Sequence, residues 1–214
     1  MANILRAQGA NFIFLGSFNP KIVSPVWLLS KELISEQWAL TNDTNPSFFT
    51  DDFSSFKCGE FQIQVTLERF SLSVSLQTEF DMMKDLAIGI FTVLSETPVK
   101  QMGVNFLSHT EIVDVDVKKA LKTKLSQFQI LDNLCERASI SSLVVEGKNP
   151  WQEDGKLRMN IQPSVVYNNA IYTEINNHFE LEKIEDWKEF LSANWNQIRL
   201  VSNERASKIS KILE

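Results

Sequence analysis

The stretch that decides the fold is EFQIQVTLERFSLSVSL, residues 60–76. Apolar and polar residues alternate strictly over residues 61–67 and again over residues 70–76. A period of two with one apolar side is typical of paired β-strands that pack one face on a core and leave the other face wet. The stretch therefore predicts a β-hairpin whose apolar residues, Phe61–Leu67 (odd) and Phe70–Leu76 (even), face one core under a helix at Glu79–Ser95.

A similar unit occurs in the second half, where Leu157–Val166 and Ala170–Phe179 form a second predicted hairpin that leads to a long C-terminal helix. Its turn contains asparagines, which tolerate positive φ. The other predicted elements are a strand at Asn11–Phe18, a helix at Ser24–Leu40, a strand at Val99–Val113, a helix at Val117–Glu136 and a strand at Ser139–Glu146. The order strand-helix-hairpin-helix thus occurs twice. It predicts an α+β fold with two antiparallel sheets, each covered by helices, and suggests a pseudo-duplication.

Length and composition limit the domain organisation and the partners. The chain has 214 residues, of which 43% are hydrophobic, so a sizeable core is available. We expect one compact unit, residues 1–214; a division into halves 1–115 and 116–214 is the alternative. The net charge of −6 argues against a nucleic-acid backbone as the main partner.

Cysteine usage and hydropathy favour a cytoplasmic location. Cys58 and Cys135 are the only cysteines and lie far apart in the sequence, which predicts neither a disulfide framework nor a zinc site. No apolar run approaches the roughly 20 residues that a membrane-spanning helix requires. We therefore expect a soluble protein in a reducing compartment that makes no membrane contact.

Few residues suit catalysis. Only His109 and His178 are available as histidine bases or metal ligands, and the seven glycines lack the spacing of a phosphate-binding loop. Asp116 is placed to cap a helix rather than to bind a metal. The sequence therefore predicts no catalytic residue, no metal site and no cofactor.

One alternative remains from the enzyme class. Glu146-Gly147-Lys148 comes after an apolar run and is similar to the E-x-K half of a restriction-type nuclease, with Asp132 as a first carboxylate upstream. In that chemistry two carboxylates hold a divalent metal and the lysine orients water. A solvated strand end that opens into a turn is the simpler interpretation of the same residues.

The segment 41–59 predicts a long polar loop with an unusual aromatic content. It carries four phenylalanines among aspartates and serines: Phe48, Phe49, Phe53 and Phe56. Either these rings tuck back under the sheet, or they dock a partner, since aromatic anchors dominate protein interfaces. For docking, the four rings should differ in burial, and at least one should be largely exposed.

The segment QMGVNFLSHTEI, residues 101–112, resembles the "lGlrYiNrIeI" strand of a sporadically distributed, functionally uncharacterised family of prokaryotic proteins. The order of elements and the final hairpin leading to a helix with spaced Trp and Phe are similar too. The family's Arg-Tyr pair is replaced here by Asn105-Phe106, so no shared site is carried over. The resemblance implies a prokaryotic origin; patchy distribution is common among mobile or defence-linked genes, which is an analogy.

These observations favour a non-enzymatic protein that binds a protein partner, as a regulatory, inhibitor or immunity component. An acidic chain suits a basic target because complementary charge speeds encounter. The alternatives are the nuclease with Asp132, Glu146 and Lys148, and a structural subunit of a larger assembly or of a homo-oligomer.

Overall fold

The computed structural model describes residues 3–39, 47–113, 115–125 and 140–213. A π-helical turn at Leu121–Leu125 follows the α-helical turn at Val117–Ala120. The elements in this part of the chain are β1 (Ile4–Gly16), α1 (Pro25–Ser30), α2 (Glu36–Ala39), β2 (Phe48–Phe49), β3 (Phe53–Cys58), β4 (Phe61–Thr66), β5 (Arg69–Val74), α3 (Phe80–Val93), β6 (Val99–Glu111), α4 (Val117–Ala120), β7 (Leu143–Lys148), β8 (Lys156–Pro163), β9 (Ala170–Glu180) and α5 (Trp187–Leu213).

The strands of the described ranges form one nine-stranded antiparallel sheet in the order β2-β3-β4-β5-β1-β6-β9-β8-β7. The prediction of two antiparallel sheets is therefore wrong. β1 pairs with β5 on one side and with β6 on the other, from Ile4↔Glu111 to Gly16↔Val99. Two separate sheets would leave a long edge of β1 and of β6 without backbone partners, and joining them removes both edges.

Two series of strands, β1–β5 and β6–β9, enter this sheet in matching order. Outward from β1 lie β5, β4 and β3, and outward from β6 lie β9, β8 and β7. The first strand of each series therefore lies at the middle of the sheet. β1, β6 and β9 are the three longest strands in the described ranges, so residues from both series meet there.

The hairpin at residues 61–76 is confirmed in its register. Its core-facing side chains within β4 and β5 are buried, namely Phe61, Ile63, Val65, Phe70, Leu72 and Val74. Leu67 and Leu76 depart from the prediction, with 54% and 46% of their surface exposed, because each lies beyond the end of its strand. The predicted helix over this face is α3.

The core lies between one face of the sheet and the helices α3 and α5. Phe106 contacts rings from both helices, Phe80 at 5.9 Å and Trp195 at 5.6 Å between centroids. The indole N–H of Trp195 donates to Asp81 Oδ1 at 2.6 Å, which ties α5 to α3. No helix in the described ranges, α5 included, is both long and apolar enough to cross a membrane.

A second apolar cluster lies under α4 and the C-terminal end of α5, where Ile112, Leu121 and Ile209 are buried. Between the two clusters the buried contact from sheet to helix is polar: Asn177 Nδ2 donates to Ser202 Oγ at 3.1 Å. The opposite face of the sheet is mainly polar and carries none of the helices in the described ranges, and we call it the bare face. Its middle row, from β4 to β9, consists of Gln62, Ser73, Asn11, Asn105 and Asn176.

The predicted helix at Ser24–Leu40 is wrong as a continuous element. Its start is confirmed, since the Ser24 side chain accepts from Trp27 N at the N-cap. The helix then breaks at Glu32, whose φ is 57°. The break lets Leu33 approach α3 at Gly89, where a Cβ would lie only 2.7 Å from Leu33 Cδ2. Tertiary packing thus overrides the helical pattern.

The other predictions for the second half agree in part. Asp116 caps α4 by accepting from Lys119 N, and Asn169 has a φ of 51° in the β8–β9 turn. The predicted helix at Val117–Glu136 can be compared only as far as Leu125. Asp132 and Cys135 lie outside the described residues.

Candidate functional site

The four phenylalanines of the predicted loop differ strongly in burial. Phe48 and Phe49 are 55% and 50% exposed, Phe53 is half-buried, and Phe56 is 1% exposed. The prediction of unequal burial is confirmed. The prediction of a loop is wrong from Phe48 onward, because β2 and β3 cover most of the segment, and residues 40–46 lie outside the described ranges.

Strand geometry places the two exposed rings on opposite faces of the sheet. Phe49 stacks on Phe56, with centroids 5.7 Å apart, so it lies on the helix-covered face. Phe48 pairs with Ser55 of β3 and points to the bare face. In the turn after β2, Asp51 is bound to Lys21 at 2.7 Å. We call Phe48 and Phe49 the Phe edge.

A groove of about 580 Å³ lies between α3 and the segment that contains α1 and α2. Most of the residues that line it are apolar, and two, Glu32 and Asp85, are acidic. The lining residues are Glu32, Leu33, Ile34, Ser35, Trp38, Met82, Asp85 and Leu86. The Trp38 ring packs on Phe61 at 5.4 Å. Gly59, with a φ of 55°, makes this possible, because a Cβ there would lie 2.8 Å from the indole.

The residues of the predicted nuclease are only partly within the described ranges. Glu146 and Lys148 are exposed on β7, two residues apart and therefore on one face of the strand. The predicted solvated strand end is confirmed, but the strand continues two residues beyond Glu146, because β7 stays paired with β8 as far as Lys148↔Lys156 and the turn follows it. Within the described part of the chain no three His, Cys, Asp or Glu residues could together hold a metal ion. The nuclease stays a prediction.

His109 supports the β8–β9 turn. Its Nδ1 lies 2.9 Å from Ser164 Oγ, which accepts backbone N–H groups from Val166 and Tyr167. With both lone pairs of that oxygen in use, the Ser164 hydroxyl donates to an unprotonated Nδ1. Burial lowers the pKa of His109, in agreement with a neutral ring.

An asparagine ladder crosses the middle of the bare face. Asn11, Asn105 and Asn176 lie directly opposite one another on β1, β6 and β9. Asn176 Nδ2 donates to Asn105 Oδ1, and Asn105 Nδ2 donates to Asn11 Oδ1. Asn105 is 1% exposed although it faces away from the core. The sequence predictions missed this ladder. Its signal was an Asn at a polar position of three strands, since Asn is depleted in strands.

Beside the ladder lies a cleft of about 300 Å³. Its lining includes one positively charged side chain, one negatively charged side chain and three side-chain amides. The lining residues are Ile13, Asn105, Arg158, Asn160, Glu174 and Asn176. Arg158 lies directly opposite Asn176, and Asn160 directly opposite Glu174. This mixed polar lining is suited to a small polar molecule rather than to an apolar one.

Comparison with known proteins gives no assignment for these sites. No family model matches the chain, and no curated protein matches it. The resemblance of residues 101–112 to the uncharacterised prokaryotic family stays a prediction. Function therefore has to be argued from the Phe edge, the groove and the bare face themselves.

Proposed function

We propose that this chain is a non-enzymatic, cytoplasmic protein that binds a basic protein partner, as a regulatory, inhibitor or immunity component. The observation that carries the proposal is the Phe edge: two adjacent phenylalanines, each about half exposed, on a two-residue strand at the end of the sheet. Aromatic residues, phenylalanine included, are enriched in protein interfaces relative to the rest of the surface.

The backbone beside the rings favours the same role. In the described ranges no strand lies on the outer side of β2. An incoming strand could add to this edge through main-chain hydrogen bonds, a common mode of peptide recognition. Because Phe48 and Phe49 point to opposite faces, the two rings would flank such a strand from both sides.

Charge favours a basic partner. Asp51 and Asp52 follow the Phe edge after Thr50 and are exposed, and the groove beside α3 adds Glu32 and Asp85. Lys21 pairs with Asp51 and Lys84 with Asp85, so these four carboxylates outnumber the two paired lysines and leave an excess of negative charge. The whole chain carries a net charge of −6. Acidic groups around an apolar anchor steer a basic surface toward it and disfavour acidic competitors.

The test is site-specific photo-cross-linking in cells that express the chain naturally. A photoreactive phenylalanine replaces Phe48 in one variant and Leu200, which is 52% exposed on α5, in the control. We expect a basic protein to be captured from position 48 and not from position 200. The purified partner should then lose about thirtyfold in affinity for Phe48→Ala or Phe49→Ala, or about 2 kcal/mol.

Three outcomes would contradict the proposal. Capture of a second copy of the chain would assign the edge to self-association. Equal capture from both positions would show no preference for the Phe edge. Unchanged affinity of both alanine variants for the captured protein would place the interface elsewhere. Leu200→Ala is the matched binding control and should bind like the wild type.

A further inference from the structure

The cleft beside the asparagine ladder has a rigid floor. Asn105 is buried and uses its amide on both sides, accepting from Asn176 and donating to Asn11. Gly103 leaves the room this needs, since a Cβ there would lie 3.0 Å from Asn176 Nδ2. Asn176 donates its Nδ2 to Asn105, so the other side-chain atom of Asn176, the acceptor Oδ1, is turned toward the cleft.

Two opposite charges stand over this floor without neutralising each other. Arg158 of β8 and Glu174 of β9 are diagonal neighbours in the sheet, a relation that places them roughly 7–8 Å apart. Among the described residues neither has an oppositely charged group within 4.0 Å. Glu146 lies opposite Arg158 on β7 and forms no ion pair with it either.

Hydrogen-bond donors lie at one end of the cleft and acceptors at the other. Asn160 Oδ1 accepts from Ser142 Oγ at 2.7 Å, which leaves the Asn160 Nδ2 group as a donor near Arg158. The guanidinium of Arg158 offers a planar fork that matches a carboxylate. The Glu174 carboxylate interacts with the Tyr172 hydroxyl and has further lone pairs to accept with. Together with Asn176 Oδ1 it offers acceptors that match an ammonium group, which has three donors.

We propose that this cleft binds a small zwitterion, a free α-amino acid, with its carboxylate on Arg158 and Asn160 and its ammonium on Glu174 and Asn176. Ile13 provides the one apolar wall for the ligand's side chain. The volume of about 300 Å³ lies at the small end of the range for ligand sites, which suits an amino acid better than a nucleotide. The inference does not depend on partner docking at the Phe edge.

The first experiment titrates the purified full-length chain with each of the common L-amino acids, up to about 10 mM, by thermal shift and calorimetry. We expect at least one of them to bind and to raise the melting temperature. Its N-acetyl derivative, which lacks the ammonium, and its amide, which lacks the carboxylate, should bind at least roughly tenfold more weakly.

The second experiment assigns the site. Arg158→Gln and Glu174→Gln should each lower affinity at least roughly tenfold while the free protein melts as the wild type does. Two controls remove an exposed charge away from the cleft lining: Arg69→Gln on β5 matches the arginine change, and Glu68→Gln in the turn before β5 matches the glutamate change. Both should bind normally. On titration of the wild type, the side-chain amide signals of Asn105 and Asn176 should shift in the NMR spectrum.

Several results would overturn the inference. One is that no common amino acid binds at the highest concentration. Another is that the blocked derivatives bind as well as the free amino acid, which would mean that the charges are not recognised. Wild-type binding by Arg158→Gln and Glu174→Gln, or asparagine amide signals that stay in place, would locate binding outside the cleft.

Discussion

Truncation of three phenylalanines of β2 and β3 should show which rings stabilise the fold and which are available for binding. Phe56→Ala removes a ring that is 1% exposed, and a Phe→Ala change in a core costs about 3–5 kcal/mol. Phe49→Ala removes a ring that is half exposed but stacked on Phe56. Half of a ring's burial plus one ring contact amounts to about 1–3 kcal/mol. Phe48→Ala loses a similar half-buried ring area but not the stacking on Phe56, and should cost about 1 kcal/mol.

The assay is denaturant unfolding, with thermal melts as a second readout. For a chain of this length 1 kcal/mol corresponds to about 2–4 °C, so Phe56→Ala should lower the melting temperature by about 6–20 °C. A double-mutant cycle with Phe49→Ala and Phe56→Ala isolates the ring contact. The coupling energy should be about 0.5–1.5 kcal/mol.

A ranking other than Phe56, then Phe49, then Phe48 would refute the reasoning. If Phe48→Ala cost more than about 2 kcal/mol, the ring would belong to the core and the Phe edge would not be a docking element. If Phe56→Ala cost less than about 1 kcal/mol, the burial of β3 against the helices would be wrong.

Three further predictions test other contacts. Gly16→Ala should cost about 1–3 kcal/mol, because its Cβ would lie 2.1 Å from the Pro98 carbonyl oxygen. Asp81→Ala should cost about 1–3 kcal/mol by leaving the buried indole N–H of Trp195 without its acceptor. Burial lowers the pKa of His109 in the folded protein below its ordinary value of 6.5. Below that pH the unfolded protein therefore binds more protons than the folded protein, and the free energy of unfolding falls as the pH falls. His109→Gln should lose that component of the pH dependence.

The first two predictions are measured by unfolding at fixed pH, and the third by unfolding at a series of pH values below and above 6.5. Asp85→Ala is the control for Asp81, since Asp85 is exposed on the same helix and its ion pair within the described ranges is with Lys84. Equal stability losses for Asp81→Ala and Asp85→Ala would contradict the contact with Trp195. A Gly16→Ala protein as stable as the wild type would contradict the close approach to Pro98. An unchanged pH profile for His109→Gln would contradict the role given to His109.

Local patterns predict the elements well and their arrangement poorly, for a physical reason. The alternation over residues 61–76 gives the buried face of β4 and β5, because side-chain direction depends only on the strand's own period. Which strand lies beside which depends on non-local hydrogen bonds, such as those that join β1 to β6. The same holds for the break at Glu32, which depends on the fit of Leu33 against Gly89.

The candidate sites show a corresponding division. The Phe edge could be proposed from the sequence because a polar loop is not expected to contain four phenylalanines. The ladder could not, since each asparagine is unremarkable alone and the three meet only when β1, β6 and β9 are neighbours. Valine or threonine would suit the middle of a sheet better than asparagine. Three asparagines aligned across the middle of a sheet, one of them buried, depart from this preference. Such departures are typical of residues that serve binding rather than stability. Accordingly, Asn105→Thr should leave the fold intact and weaken the amino-acid binding that we propose for the cleft beside it.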